Sequence, residues 1–420
     1  METSPLDYRR CFATFLQQCG LRRSIHLTLA TYSLTTNPIT MRFHPLVGLA
    51  FIAPVVLGAQ QTDSTAGATP ATAPVPTAAA TPASDTGFRL AAPQFSGTLF
   101  SNYMYQTGKD GRGMNSFNFD RAYLTAMEQL SGRASAHATL DVFNGSDLSE
   151  GGNTGYIARL QYGYLQYDYL QGTNWNASAS FGMLPTVTIS HDEQFWPRWI
   201  AKSPTELAGY FEIADLGAAT LITMPNKWGE VYAAVTNGPG YTTTTDPDRY
   251  KDYQARVTLT PLSSHPGILS TFDLSGWYYK GAVENGFTTA SLDRDRWGVF
   301  AGIRDPHLTV GFNWAENKDQ SATSATTTAD STGRLLSGYV VLHPFVAHPF
   351  GLVLRYDQLK PNTSADPNYS VFIGGLTYDL TKRASISADY QELDMHSGAA
   401  PVSGVLAAPR AAYMHVVVNY

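Results

Sequence analysis

Between residues 185 and 214 the chain gathers His191, Asp192, Glu193, Arg198, Lys202, Glu206 and Glu212 among the aromatics Phe195, Trp196, Trp199, Tyr210 and Phe211. Side chains of both signs in so short a stretch could hold a metal, move a proton or act as fixed charge. Metal binding fails on spacing. Adjacent residues such as His191-Asp192-Glu193 point to opposite sides of an extended segment, and no second histidine stands at a useful interval. Covalent chemistry fails on motifs: the chain carries no G-x-S-x-G elbow, P-loop or H-E-x-x-H. We therefore expect no enzyme activity and no cofactor. What remains is electrostatics. Opposed charges in a narrow passage sort solutes by sign and by the cost of stripping their water. A loop this long, with Pro197 and Pro204 inside it, is uncommon unless it has a function, and its aromatics are suited to pinning it to a wall.

The segments that position this loop read as strands. Arg133, Ser135, His137, Thr139 and Asp141 alternate with Ala134, Ala136, Ala138, Leu140 and Val142, a two-residue period with one polar and one apolar face. The same division recurs in Asp252, Gln254, Arg256 and Thr258 against Tyr253, Ala255, Val257 and Leu259. Sixteen such segments follow one another from Phe88, among them 133–143, 307–315, 333–343 and 383–393. Those near 216–223 and 335–343 alternate least cleanly. Connections after even strands are short (129–132, 170–173, 305–306, 380–382), whereas those after odd strands are long and polar (107–115, 145–154, 237–248, 317–332, 394–409). Short turns at one rim and long loops at the other are the pattern of a transmembrane barrel with both termini on the short-turn side.

We therefore expect an all-β, sixteen-stranded antiparallel transmembrane β-barrel whose long third external loop, 185–214, folds inward. No water reaches a bilayer's hydrocarbon core, so each backbone amide there must pair with a neighbouring strand, and a closed ring achieves this. A charge on the lipid face would cost about 2–4 kcal/mol for an arginine near the midplane. The lumen-facing wall accordingly receives Arg121, Arg133, Arg159, Arg256, Arg294, Arg296, Arg355 and Arg383, opposite Asp141, Asp252 and Asp273, with Glu230, Asp357 and Asp389. Tyr162, Tyr164, Trp175, Trp277, Tyr278 and Trp314 are candidates for aromatic girdles.

The chain before the barrel reads in three parts. Residues 1–40 lack organisation and fit an upstream misassigned start or an extended n-region. Residues 41–59 read as an export signal, with Arg42, an apolar core from Leu46 to Leu57, and a small-residue exit at Gly58-Ala59. Residues 60–87 form an Ala/Thr/Pro-rich linker with nothing large to bury, and 88–420 form the barrel. Cys11 and Cys19 both lie ahead of Met41, so the exported chain has no disulfide. The formal charge is −6, which argues against nucleic acid as a partner.

The texts FDRAYLTAMEQLSGRASAHATLDVF (119–143) and ASASFGMLPTVTISHDEQFW (177–196), set in this architecture, resemble the bacterial phosphate-selective porin O and P family. The architecture is similar over 88–420, the wording only in those two stretches. The resemblance implies an outer-membrane diffusion channel for small hydrophilic solutes or ions, anions such as phosphate included, that assembles as a homotrimer in outer-membrane lipid. The lysine-rich ladder of that family has no counterpart here. The chain ends on an aromatic strand, Tyr413 to Tyr420, which resembles the signal read by the barrel-assembly machinery. A secreted soluble β-rich binding or adhesion protein is the alternative from another class, and an outer-membrane barrel hydrolase is a further one.

Overall fold

The computed structural model describes residues 92–420, except 110, 147–153, 244, 247, 285–290, 325–326, 346–347, 365–367, 397–405 and 407. The expected signal segment and linker lie outside the described residues, as do most of the loops expected at 145–154 and 394–409. Sixteen strands run in order: β1 (Gln94–Gln106), β2 (Asn115–Gln129), β3 (Ala134–Ser146), β4 (Thr154–Gln171), β5 (Asn176–Pro185), β6 (Ala214–Thr223), β7 (Gly229–Thr236) and β8 (Asp252–Leu259). They continue as β9 (Asp273–Val283), β10 (Leu292–Arg304), β11 (Leu308–Ala322), β12 (Thr328–Leu342), β13 (Phe350–Lys360), β14 (Asn368–Thr381), β15 (Ala384–His396) and β16 (Arg410–Asn419). Each pairs antiparallel with its sequence neighbours. β1 closes on β16, from Thr98 opposite Asn419 to Gln106 opposite Ala411, so the sheet has no edge.

Strand β8 shows why the ring has two environments. Asp252, Gln254, Arg256 and Thr258 are buried inside, while Tyr253, Val257 and Leu259 are exposed on the outer wall. The outward phase of β11 carries Leu308, Val310, Phe312 and Trp314 before it turns charged at Glu316 and Lys318. Beyond that level the outer wall carries ion pairs: Arg334 with Glu316 at 2.6 Å, Lys318 with Asp330 at 2.8 Å and Lys280 with Asp295 at 3.2 Å. An apolar band with charge only beyond it is the exterior that a hydrocarbon layer requires.

Two features differ from expectation. The polar stretch expected as a loop at 317–332 is mostly ladder, since Ala322 still faces Thr328 across β11 and β12. This hairpin projects past the apolar band, so both its faces are wetted and its strands carry polar side chains like a loop. Second, the inner wall is not polar throughout. Trp277, Phe300, Leu335, Tyr339, Val353, Val371 and Ile373 point inward from β9 to β14 and are buried. The irregular alternation at 335–343 follows from this, because β12 is apolar on both faces. Tyr162, Tyr164 and Trp277 turn inward rather than joining a girdle, as the pairing of Tyr162 with Thr139 and of Tyr164 with His137 requires.

Candidate channel constriction

The segment joining β5 to β6 is seated by apolar contact. It forms two helical turns, α1 (Ile189–Asp192) and α2 (Pro204–Leu207). They are tied by Thr205, whose hydroxyl donates to Asp192 at 2.8 Å and lies 3.1 Å from that of Thr188. Val187, Ile189, Phe195, Trp196, Ile200, Leu207, Phe211 and Ile213 pack with the apolar inner wall of β9–β15 in one cluster. Phe195 meets Phe300 with ring centroids 4.6 Å apart, Trp196 meets Tyr339 at 5.3 Å, and Phe211 meets Trp277 at 5.1 Å.

Polar wall residues then satisfy backbone groups that the loop's own helical turns leave unpaired. Gln254 of β8 accepts from the Val187 amide at 3.1 Å, Arg355 of β13 donates to the Lys202 carbonyl at 2.6 Å, and Gln391 of β15 donates to that of Ile200 at 3.0 Å. Arg296 of β10 donates to the Tyr210 carbonyl and Arg256 of β8 to that of Val187. His191 and Asp192 belong to this seat, 3% and 2% exposed, and burial pushes the Asp192 carboxyl above the ordinary aspartate range. His191 Nε2 lies 3.3 Å from Asp273 and 3.2 Å from the Ser275 hydroxyl. A nucleophilic relay needs serine and carboxylate on opposite ring nitrogens; here both meet the same one.

The other side of the loop is charged. Arg198 binds Glu193 at 2.6 Å, grips Glu206 through two nitrogens, and donates to the Tyr123 hydroxyl of β2 at 3.1 Å. Burial works against the Arg198 charge, but Glu206, Tyr123 and Glu193 outweigh it and hold the guanidinium well above its usual range. Burial likewise raises Glu193, beyond what Arg198 offsets, whereas for Glu206 the same arginine overcomes burial and the carboxyl sits below its ordinary value. Lys202 and Glu212 are exposed. Its side chain is accessible, yet the surrounding protein strips part of the water from the Glu212 carboxylate, and this with the nearby Glu206 pushes it up.

Beside the loop's charged side, on the wall, stands a bank of arginine, joined to Arg198 through the Tyr123 hydroxyl. Arg121 of β2 and Arg159 of β4 each approach the fully buried Asp141 of β3 at 3.3 Å. Arg121 also donates to Tyr123 at 3.0 Å, and Arg159 to the Tyr241 hydroxyl at 3.0 Å. Their side chains remain 21% and 25% exposed, so both keep water contact. Arg121, Arg159, Arg198 and Lys202 thus balance Asp141, Glu193, Glu206 and Glu212 in sign.

The remaining wall residues have other tasks. Arg256 pairs with Glu230, Asp252 accepts from the Tyr279 hydroxyl, and Arg296 approaches Asp319 at 3.3 Å. Arg355 points inward but is sealed beneath Trp196, paired with Asp357 at 2.6 Å with neither side chain exposed. Arg294 points inward, half-buried. Arg133 and Arg383 are not wall residues. They stand in exposed turns just ahead of β3 and β15, their amides taken by the Ser131 and Thr381 hydroxyls at 3.2 and 3.1 Å instead of by the ladder. Sequence reasoning missed Tyr123 and Tyr241. The first shares its inward phase with Arg121, two residues away, and was legible; the second sits in the β7–β8 loop, where nothing marks it. Among the described residues no group of three or more His, Cys, Asp or Glu is placed to hold a metal ion.

No protein-family model matches the chain, and neither does any curated protein. Solved structures do match in fold. An anion-selective porin from Comamonas acidovorans aligns at 13% identity and TM-score 0.57, covering 79% of this chain and 100% of that one. OmpF of Salmonella typhi, solved with daunomycin, aligns at 11% and 0.55 over 78% and 97%. The outer membrane channel DcaP of Acinetobacter baumannii aligns at 12% and 0.52 over 78% and 97%. The chain has the fold of the sixteen-stranded bacterial porins. At these identities the likeness extends to fold alone.

Proposed function

We propose that the protein is an outer-membrane porin, an aqueous channel for passive diffusion of small hydrophilic solutes, narrowed by the segment between β5 and β6. The observation that carries this reading is the bank of Arg121 and Arg159 beside the carboxylates of the loop, inside a closed ring whose exterior is apolar. Opposed charges set a transverse field across the passage, which orders water and dipolar solutes without binding them tightly. The constriction residues are Glu193, Arg198, Lys202, Glu206 and Glu212 on the loop and Arg121 and Arg159 on the wall. His191 and Asp192 hold the loop down. With the buried Asp141 between the two wall arginines counted, the two signs balance, which favours weak ion selectivity. A preference for anions, phosphate among them, is the second reading, supported by the two wall arginines that keep water contact.

The expected export signal at 41–59 and the terminal aromatic strand support delivery through the barrel-assembly machinery to the outer membrane. A homotrimer is supported by the outward face of β2 and β3, where Ala122, Ala126, Ala134, Ala136 and Ala138 surround the exposed pair Leu124 and Leu140, an apolar face with fewer large side chains than β11–β13. Purified protein added to a planar lipid bilayer should give stepwise conductance, with a reversal potential near zero in a KCl gradient. A large shift of the sign expected for chloride would select the anion reading. A protein that is monodisperse without detergent and conducts nothing would end the proposal.

A further inference from the structure

A chamber of about 940 Å³ opens between the second half of the loop, the β7–β8 loop and the upper ends of β8–β11. Most of its charged groups are already engaged. Arg296 is held by Asp319 and the Tyr210 carbonyl, and Asp215 accepts the amides of Leu216 at 2.8 Å and Gly238 at 2.6 Å. Asp248 accepts the amides of Tyr250 at 2.8 Å and Glu284 at 3.0 Å, and Glu206 is gripped by Arg198. Two lining groups have neither a hydrogen bond nor an ion pair to their charged ends among the described residues: the Glu212 carboxylate and the Arg294 guanidinium. Phe211 and Tyr279 line the chamber beside them. A charge this close to low-dielectric walls gains most from a counter-charge that arrives already dehydrated or sheds water there.

Resting on the channel reading above, we propose that this chamber is a binding subsite for zwitterionic solutes of short-peptide size, with Glu212 receiving the ammonium and Arg294 the carboxylate. A single cation or anion would satisfy only one of the two unpaired groups and leave the other. The volume lies in the range of small-molecule sites. An extended tripeptide, about 10 Å long at roughly 3.3–3.6 Å per residue, has its charged ends far enough apart to meet one group on the loop and another on the wall. Arg294 offers a planar fork matched to a carboxylate.

The test is single-channel recording of the full mature protein with triglycine added on the loop side. Triglycine should interrupt the open current in a concentration-dependent way, while N-acetyl-triglycine amide, which has lost both charges, should not. Glu212→Gln and Arg294→Gln should each weaken triglycine block by at least tenfold. Sodium acetate and ethylammonium chloride, which present one charge each, should block wild type far more weakly than triglycine does. Block that survives both substitutions, or equal block by the capped peptide, would overturn the subsite. Open channels that triglycine never interrupts would overturn it while leaving the porin reading intact, whereas absence of channels in wild type would remove both. The current itself reports insertion of each variant, and either variant alone suffices should the other fail to insert.

Discussion

Replacing Arg198 with alanine tests the constriction most directly. The guanidinium is bonded to both Glu193 and Glu206, and its side chain is 12% exposed against 24% and 9% for theirs. Stranding buried carboxylates costs about 3 kcal/mol, the low end of the usual range because Glu193 keeps some water. That weakens seating of the loop roughly hundredfold. The strait also loses one positive charge from a balanced set. A unit charge about 7 Å from a permeating ion contributes about 0.6 kcal/mol at the dielectric constant of water, favouring one sign and opposing the other. The cation-to-anion permeability ratio should therefore rise about threefold to eightfold, the smaller figure holding where 0.1 M salt screens the charge. Reversal potentials of wild type and Arg198→Ala across a KCl gradient measure this. Burial already raises the Glu193 carboxyl against the pull of Arg198. Without that pull it rises further, so the variant's added cation preference should begin to fade at a higher pH than any corresponding change in wild type. An unchanged ratio, or a shift towards anions, would refute the placement of Arg198 at the passage.

Other perturbations separate seat from strait. Trp196→Ala removes an indole that is 1% exposed, meets Tyr339 edge-on and donates to the Ala201 carbonyl at 2.9 Å. The cost of about 3–5 kcal/mol should appear as greater open-channel noise and faster proteolysis within the loop, with the barrel's strand content by circular dichroism unchanged. Arg355→Met leaves Asp357 alone in a dry site and should lower the heat-modification midpoint, a loss of about 3–5 kcal/mol, while Arg355→Met with Asp357→Leu should recover most of it. Glu206 sits below its ordinary value, so its contribution to seating is complete above the usual glutamate pKa of about 4.3 and is lost only as pH falls through the lowered one. Hydrogen exchange at residues 204–208 should therefore stay slow through the ordinary glutamate range and accelerate below it.

The strands were readable because two solvents act on opposite faces. In β8 every second residue meets the outer wall and the others are buried polar groups, so the period survives in the sequence. Where a third environment enters, the signal fades. β12 has lipid-side apolar residues such as Leu336 on one face and the seat of Trp196 on the other, which the period cannot separate from noise. The projecting part of β11 from Glu316 to Ala322 fails for the converse reason, both faces being wet. The charged loop was legible as a charged loop, but the division of its groups was not. Composition cannot tell that His191 and Asp192 face the seat while Glu193 and Arg198 face the strait, because two short helical turns set those directions.

The apolar seat has an architectural consequence. A barrel of this circumference would offer a wide central bore, yet one arc, β8 to β15, is occupied by the loop it supports, and on the channel reading proposed above traffic is confined to the side of β2 and β4. Drift along the occupied arc then alters how firmly the loop sits, and drift on the opposite arc alters what passes. Permeability and robustness can thus evolve almost independently within one chain.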